Sequence, residues 1–169
     1  MTGSPTSRRE AEFTAFVDSA SAYLTRTAYL LCGDVETAHD LVQEALVRTY
    51  AAWWRVRPAE ARAYARRVLV NLNVDRYRRP SAVPVAMVDE RAVDHEEGRV
   101  DDRDELRRML ASLAPQQRRV IVLRYFDDLS EAEVAQCLGV TVGSVKASCS
   151  RGLAALRGAF APAMEGGSR

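Results

Sequence analysis

Apolar residues recur at intervals of three and four along most of the chain, and this spacing is typical of amphipathic helices. The first such stretch runs from residue 12 to Gly33, a residue suited to ending a helix. A second begins after Asp34, which can cap it, and continues to Trp54; a third covers about residues 59 to 79, after Pro58 interrupts the pattern. No segment alternates convincingly with period two, so the pattern predicts an all-α fold without a sheet.

The C-terminal half carries a second helical group with clear start and stop signals. Pro115 suits the first position of a helix, and Ser130 with Glu133 forms the S-x-x-E capping pattern. Gly139 permits a sharp turn, and Thr141 can cap the helix that follows. We therefore expect two helices joined by a turn between residues 130 and 157. The inward side of the second of them comprises Val142, Val145, Cys149, Leu153 and Leu156.

An acidic segment separates the two helical groups. Residues 1–80 carry a net charge of +3, residues 81–105 a net charge of −6, and residues 106–169 a net charge of +4. Pro80 and Pro84 argue against helix in the acidic segment. We expect two small helical domains, at residues 10–80 and 104–160, joined by an acidic flexible linker over residues 81–103. Residues 1–9 and 161–169 are expected to be a disordered N-terminus and a disordered tail.

The composition excludes several classes of protein. The N-terminus lacks the apolar segment of a secretory signal, and no apolar run is long enough to cross a bilayer, so we expect a cytoplasmic protein without a membrane partner. Cys32, Cys137 and Cys149 have unrelated spacings, which favours small buried hydrophobic groups over disulfides or zinc ligands. No phosphate-binding loop or nucleophile–base pair is visible in the sequence, and we expect neither an enzyme nor a cofactor.

The outward side of the last helix suits DNA. It carries small side chains near its start and basic ones further along, and no carboxylate occurs between Val134 and Met164. A helix that meets phosphates favours this composition, whereas a hairpin that only fills a core has no reason to exclude acids. We therefore expect a helix-turn-helix whose second helix enters the major groove. The candidate DNA-binding residues on this outward face are Thr141, Gly143, Ser144, Lys146, Ala147, Ser150 and Arg151.

Arginines and tyrosines are interleaved along the third helix, where Asp75 is the single acid between Arg62 and Arg79. Guanidinium groups bind phosphates and tyrosine rings stack on unpaired bases, so a nucleic-acid strand is one interpretation. A solvated arginine face with Tyr64 and Tyr77 at the edge of the core is the other. Composition alone does not separate the two.

The order of three segments resembles the extracytoplasmic-function (ECF) group of bacterial sigma factors, the promoter-recognition subunits of RNA polymerase. The segments read "DLVQEALVRTY", "ARAYARRVLVNLNVDRYRR" and "LAPQQRRVIVLRYFDDLSEAEVAQCLGVTVGSVKASCSRGLAALR". The first two resemble sigma region 2 and the third resembles region 4, and with their flanks they cover about residues 10 to 160. Their order around an acidic linker is more specific than any one of them.

The resemblance implies core RNA polymerase and promoter DNA as partners. Asp40, Gln43 and Glu44 would bind the clamp helices of the largest polymerase subunit, and the helix around Val120 to Phe126 would contact the flap. Region 4 would read the −35 element through the outward face. Region 2 would open the −10 element and capture unpaired bases, with a base pocket at residues 55–60 and Tyr64 as a stacking ring. The residues implied at the −10 element are Arg55, Arg57, Tyr64, Arg66, Arg67, Asn71, Arg76, Arg78 and Arg79.

The chain departs from the family in the reading helix. Many members have serine and then arginine after the lysine of this helix, where this chain has Ala147 and Ser148. Gly143 and Ala147 leave few side chains able to make bidentate base contacts, so readout of DNA shape would carry part of the specificity. In the family the linker passes through the channel later used by RNA; the net charge of −6 over residues 81–105 here suits a nucleic-acid mimic and a solvated tether equally. The sequence leaves open whether an anti-sigma factor is also a partner.

Two other functions fit parts of the sequence. A regulator that binds DNA without polymerase accounts for the helix-turn-helix but not for the arginine-rich helix together with "DLVQE". A helical di-iron enzyme would use Glu36 and His39, a lone Glu-x-x-His, but the chain lacks a suitably placed second copy and further glutamates. We expect His39 to be exposed.

Overall fold

The computed structural model describes residues 5–78 and 100–160. Arg79, most of the predicted linker and the predicted tail lie outside the described residues. The helices are α1 (Pro5–Cys32), α2 (Val35–Ala51), α3 (Ala61–Arg78), α4 (Val100–Ala111), α5 (Pro115–Ile121), α6 (Glu131–Leu138) and α7 (Val142–Phe160), with a 3-10 turn at Pro58–Glu60 and a π-helical turn at Val122–Phe126. Over these described ranges no strand occurs, which agrees with the all-α prediction. None of the described helices is long and apolar enough to span a membrane.

The described helices fall into two compact units, with α1–α3 in the first and α4–α7 making up most of the second. The first unit is a three-helix bundle in which each helix packs against the other two. Its core is rich in alanine, and small side chains let the helix axes approach closely. The buried core residues are Ala20, Leu24, Ala28, Ala38, Leu41, Val42, Ala45, Ala65 and Leu69.

The end of α2 differs from the sequence prediction. The helix was expected to reach Trp54 but ends at Ala51, because the next backbone N–H groups bond to carbonyls three residues back, such as Trp53 to Tyr50 over 3.0 Å. This tighter turn buries Trp53 against Phe13, with ring centroids 5.0 Å apart. The adjacent Trp54 is left 72% exposed.

The second unit is built around α5 and α7. Its buried residues include Leu110, Leu113, Val120, Ile121, Val122, Leu123, Val134 and Val145. Gly152 of α7 allows the two helices to approach, since a Cβ at this position would lie 3.1 Å from Cγ1 of Ile121. A side chain there would require the neighbour to shift.

Two domain boundaries differ from the sequence prediction. Residues 5–9 were expected in the disordered N-terminus, but α1 begins at Pro5. Proline is favourable at a helix start, and the Arg8–Glu12 ion pair of 3.1 Å supports the first turns. Residues 100–103 were expected in the linker but lie in α4, where Asp102 near the helix start suits the positive end of a helix.

Candidate nucleic-acid interface

The turn between α6 and α7 is fixed by the hydrogen bonds predicted from the sequence. The Ser130 N–H donates to Oε2 of Glu133 over 2.8 Å, and the Glu133 N–H donates to Oγ of Ser130 over 3.2 Å. Gly139 has a φ of 65°, and the Ser144 N–H donates to Oγ1 of Thr141 over 3.1 Å. Both helix starts and the left-handed turn are therefore as expected, and they fix the angle at which α7 leaves α6.

The outward face of α7 is accessible along its whole length. Its members Thr141, Gly143, Ser144, Lys146, Ala147, Ser150 and Arg151 are all exposed. Among the described residues of α7, none carries a carboxylate. A helix face with short side chains at its N-terminal end and cations beside them is the geometry by which helix-turn-helix proteins meet a major groove.

The inward side of α7 is composed differently from the prediction. Val145, Ser148 and Gly152 are buried, whereas Val142 is 40% exposed. Successive residues of a helix turn by 100°, so Val142 and Ser148 lie about 60° from Val145 on opposite sides, and Gly152 lies about 20° from Val145 on the Ser148 side. The buried stripe therefore runs on the Ser148 side of Val145. The apolar pattern did not predict this stripe, because serine and glycine are not apolar core residues by type.

Lys146 is paired across the turn. Its Nζ lies 3.7 Å from Oε2 of Glu131 in the first turn of α6. Both side chains reach solvent, with Lys146 65% and Glu131 36% exposed. The ammonium therefore sits at the edge of the outward face with a carboxylate behind it.

The segment predicted to contact the polymerase flap is largely inaccessible. Val120, Ile121 and Leu123 are at most 3% exposed, so a partner could reach this segment only through its more exposed residues, and the flap contact stays a prediction. Burial follows from their apolar side facing the core of their own unit. Tyr125 is 54% exposed and remains available.

Tyr125 also approaches α7. Its hydroxyl lies 3.7 Å from Sγ of Cys149, and this hydrogen bond, with burial, raises the pKa of the Tyr125 hydroxyl. Cys137 is buried, while Cys32 and Cys149 are half-buried thiols, so the expectation of small buried groups holds fully only for Cys137.

Most of the candidate −10 residues line exposed parts of the first unit. Arg66 and Tyr64 are half-buried, and Arg79 lies outside the described residues. Arg66 donates from Nη1 to the Tyr23 hydroxyl over 3.1 Å, and the Arg62 guanidinium lies 5.4 Å from the Tyr23 ring centre. Part of the arginine row of α3, which comprises its arginines from Arg62 to Arg78, thus holds α3 to α1. The exposed candidates are Arg55, Arg57, Arg67, Asn71, Arg76 and Arg78.

Trp54 is a functional candidate that sequence reasoning missed. Its ring is 72% exposed, and the Arg55 guanidinium lies 5.9 Å from the ring centre. An exposed ring beside cations can stack on an unpaired base. The sequence contained a signal for this exposure. When two tryptophans are adjacent at a helix end, only one of them can face the core.

One face of α2 carries the candidate protein-binding residues. Asp40, Gln43 and Glu44 are all exposed, and Glu44 also pairs with Arg48 over 2.7 Å. Val47, one turn further along the same face, is 64% exposed. A face that combines carboxylates with an exposed aliphatic residue is typical of a protein interface rather than of a nucleic-acid surface.

Metal-ligating side chains are not brought together in the described parts of the chain. His39 and Glu36 are both exposed, and no group of three or more His, Cys, Asp or Glu side chains in residues 5–78 and 100–160 is placed to hold a metal ion. The Glu-x-x-His pair therefore has no further ligand there.

Comparison with known proteins relates both units to transcription. Residues 16–82 match the family described as Sigma-70 region 2, and residues 103–156 match Sigma-70, region 4. The RNA polymerase sigma-E factor of Streptomyces avermitilis is 39% identical over 149 residues, which cover 86% of this chain and 83% of that protein. The ECF RNA polymerase sigma factor SigM of Mycobacterium tuberculosis is 32% identical over 135 residues, covering 79% and 69%.

A solved structure shares the fold. The sigma factor RpoE of Bartonella quintana, solved with the anti-sigma factor NepR, aligns with a TM-score of 0.72 at 22% identity, covering 86% of this chain and 94% of that one.

Proposed function

The chain belongs to the sigma-70 family, as an RNA polymerase sigma factor of the ECF group, and we propose that its two units divide the work of promoter recognition. Residues 10–80 bind core polymerase and open the −10 element, and residues 104–160 read the −35 element. The first unit includes the whole of α1 from Pro5. Core RNA polymerase and promoter DNA are the partners, and the cytoplasm, where both are found, is the site of action.

The observation that carries this proposal is the outward face of α7. Its seven candidate residues are exposed together, and its N-terminal end is held by the Thr141 cap, while Ser130 caps the preceding helix α6. Lys146 and Arg151 supply phosphate contacts, which position the helix without reading sequence. Ser144 and Ala147 are short enough to bring the helix close to base edges and thymine methyl groups.

The first unit supplies a surface for single-stranded DNA. Trp54 and Tyr64 offer rings to unpaired bases, and Arg55, Arg57 and Arg67 offer cations to the phosphates between them. Base stacking on aromatic side chains tolerates any base, whereas a pocket selects one. Stacking by Trp54 and Tyr64 therefore stabilises the opened strand, and the 3-10 turn at Pro58–Glu60 provides the selective contact.

The carboxylates of α2 provide the polymerase contact. Asp40 and Glu44 lie at i and i+4, on one side of the helix, and Gln43 lies between them. These acids are unsuited to DNA but suited to a basic protein surface. Separate faces for polymerase and for DNA let the unit bind both partners at once.

An anti-sigma factor is a further proposed partner. The Bartonella sigma factor of the same fold was solved with one, which supports this proposal at the level of the fold only. The regulator that binds DNA without polymerase is disfavoured, since it would have no use for the α2 face.

The experiment that tests the proposal is transcription in vitro from a genomic library by purified core polymerase, with and without this protein. New transcripts that start at a shared −35/−10 pattern support it. Identical transcript sets in the two reactions would contradict it.

A further inference from the structure

The Glu131–Lys146 ion pair differs in kind from the helical pairs of this chain. Arg8–Glu12 and Arg48–Glu44 join residues of a single helix. Glu131 instead reaches from α6 to α7, and brings a carboxylate to the edge of a helix face that carries none of its own. Lys146 is also the chain's one lysine, while its other side-chain cations at neutral pH are arginines.

A carboxylate 3.7 Å from an ammonium competes directly with a DNA phosphate. The two charges lie well inside the screening distance of roughly 8–10 Å at moderate salt, so their attraction persists there. The pair is nevertheless solvent-exposed and weak enough to open, because such pairs contribute little to stability. A phosphate that arrives at a fixed position and short distance can therefore displace Glu131, whereas one held loosely leaves the pair closed.

We propose that Glu131 is a specificity-determining residue that withholds Lys146 from non-specific DNA and releases it in the −35 complex. The inference rests on the proposed function of α7. In a specific complex, contacts of Ser144 and Ala147 seat the helix deeply and bring one phosphate to Lys146. In a non-specific complex the helix is not seated, and Lys146 stays on Glu131. Lys146 then counts as a phosphate contact only at the correct site.

This mechanism reduces the affinity for non-specific DNA, which competes with the promoter. Phosphate contacts supply nearly all of non-specific affinity, and each contact steepens the salt dependence by about 0.9 units on a double-logarithmic plot. A cation neutralised in the non-specific complex lowers binding to the large excess of wrong sites. The ratio of specific to non-specific affinity rises without any additional base contact.

The test measures the salt dependence of DNA binding by holoenzyme reconstituted from core polymerase and the full chain. Two duplexes are compared, one with the −35 element identified by transcription and one with that element scrambled. For Glu131→Gln we expect the slope on scrambled DNA to steepen by about one unit while the slope on the −35 duplex stays unchanged. For Lys146→Ala we expect the reverse: a slope shallower by about one unit on the −35 duplex and unchanged on scrambled DNA.

Two variants serve as controls. Glu105→Gln removes the same charge from the exposed surface of α4 and should leave both slopes unchanged. The double variant Glu131→Gln with Lys146→Ala should behave as Lys146→Ala on both duplexes, because the carboxylate acts only through the lysine.

The lone lysine provides an independent measurement. Acetylation of side-chain amines modifies this chain only at Lys146, apart from its N-terminus, so the extent of reaction can be read from one peptide by mass spectrometry. We expect the −35 duplex to protect Lys146, and the scrambled duplex to leave its reaction rate at that of DNA-free holoenzyme.

The outcomes separate the inference from the proposed function. Equal slope changes on both duplexes, or none, for Glu131→Gln would overturn the role of Glu131, and Glu131 would then act only at the helix dipole of α6. Lack of any preference of wild-type holoenzyme for the −35 duplex would instead overturn the proposed function of α7.

Discussion

The guanidinium of Arg66 donates a hydrogen bond from α3 to the Tyr23 hydroxyl of α1 over 3.1 Å. Arg62 lies against the ring of the same tyrosine, 5.4 Å from its centre. One residue of α1 thus holds two members of the arginine row. This contact explains why the row serves two purposes, with Arg62 and Arg66 joining the helices and Arg67, Arg76 and Arg78 exposed.

Tyr23→Phe tests this division. The change removes the hydroxyl that accepts from Arg66 but keeps the ring beside Arg62. We expect a loss of about 0.5–1.5 kcal/mol in the free energy of unfolding, measured with urea. Affinity of holoenzyme for pre-melted −10 DNA should fall less than for Arg67→Ala. A larger loss of DNA affinity than for Arg67→Ala would show that Tyr23 mainly positions the arginines for DNA.

Asp34 links stability to pH through the cap of α2. Two hydrogen bonds from Thr37 hold the pKa of the Asp34 carboxyl below its ordinary value of 3.8. One comes from the Thr37 side chain and the other from its N–H over 2.8 Å, and burial of the carboxyl opposes this lowering of the pKa. The ionised Asp34 carboxyl therefore stabilises the folded chain. This stabilisation is fully present when the pH is above the ordinary pKa, and it is lost as the pH falls through the lowered pKa. Asp34→Ala should cost about 0.5–2 kcal/mol at neutral pH.

Asp34→Ala also tests the direction of the Asp34 pKa shift. Between neutral pH and the ordinary pKa the difference in unfolding free energy between wild type and Asp34→Ala should stay constant, and below the ordinary pKa it should shrink. A difference that grew on acidification would contradict the assigned direction of the pKa shift. Asp34→Asn, which retains a capping oxygen, should lose less than the alanine variant at neutral pH.

Exposed Trp54 gives a test of strand capture with little effect on folding. Its ring is 72% exposed, so Trp54→Ala should change the unfolding free energy by no more than about 0.5 kcal/mol. The amount of open complex should fall, because one stacking contact is worth about 1–3 kcal/mol. Val35→Ala, which also truncates an exposed apolar side chain, should leave opening unchanged.

Tyr64→Ala should likewise reduce open complex while leaving closed-complex binding largely unchanged. Pre-melted template should rescue most of the Tyr64→Ala defect if the ring acts in melting. Permanganate reactivity of the −10 thymines measures opening in each case. Equal loss on duplex and pre-melted DNA would argue against a melting role for Tyr64.

A panel of promoters distinguishes the residues of α7 that would read bases from the residue that would contact phosphate. Substitutions at Ser144 or Ala147 should re-rank promoters that differ only in the −35 element, by about 1–3 kcal/mol per altered contact. Lys146→Ala should weaken by a similar factor all members of this panel whose −35 element is specifically bound, and should leave binding to a scrambled element unchanged. If Lys146→Ala re-ranked the panel while the Ser144 and Ala147 variants did not, α7 would face the groove with its other side.

The sequence predicted what local patterns determine. Helix periodicity, the capping pair Ser130 and Glu133, and the turn at Gly139 each depend on residues close in the chain, and the structure contains all three. The exposed position of the α7 face followed from the same periodicity.

Features that depend on tertiary contacts were not predictable. The exposure of Trp54 depends on which of two tryptophans packs on Phe13, and the Arg66–Tyr23 bond joins residues 43 positions apart. Ser148 is buried, and α5 approaches α7 closely at Gly152, one turn further along. In each case packing between helices, which no spacing rule encodes, decided the outcome.

On the proposed function, this protein opens promoters only as part of the polymerase. The most direct measurement is permanganate footprinting of a promoter with this protein alone, core polymerase alone, and both together. A double variant, Asp40→Arg with Glu44→Arg, tests the α2 face, and Glu10→Arg with Asp18→Arg on α1 is its charge-matched control. We expect opening of the −10 region only with both proteins, its loss in the α2 variant with helical circular dichroism retained, and its retention in the control. Opening that survives the α2 variant, or tight promoter binding without core polymerase, would contradict the account.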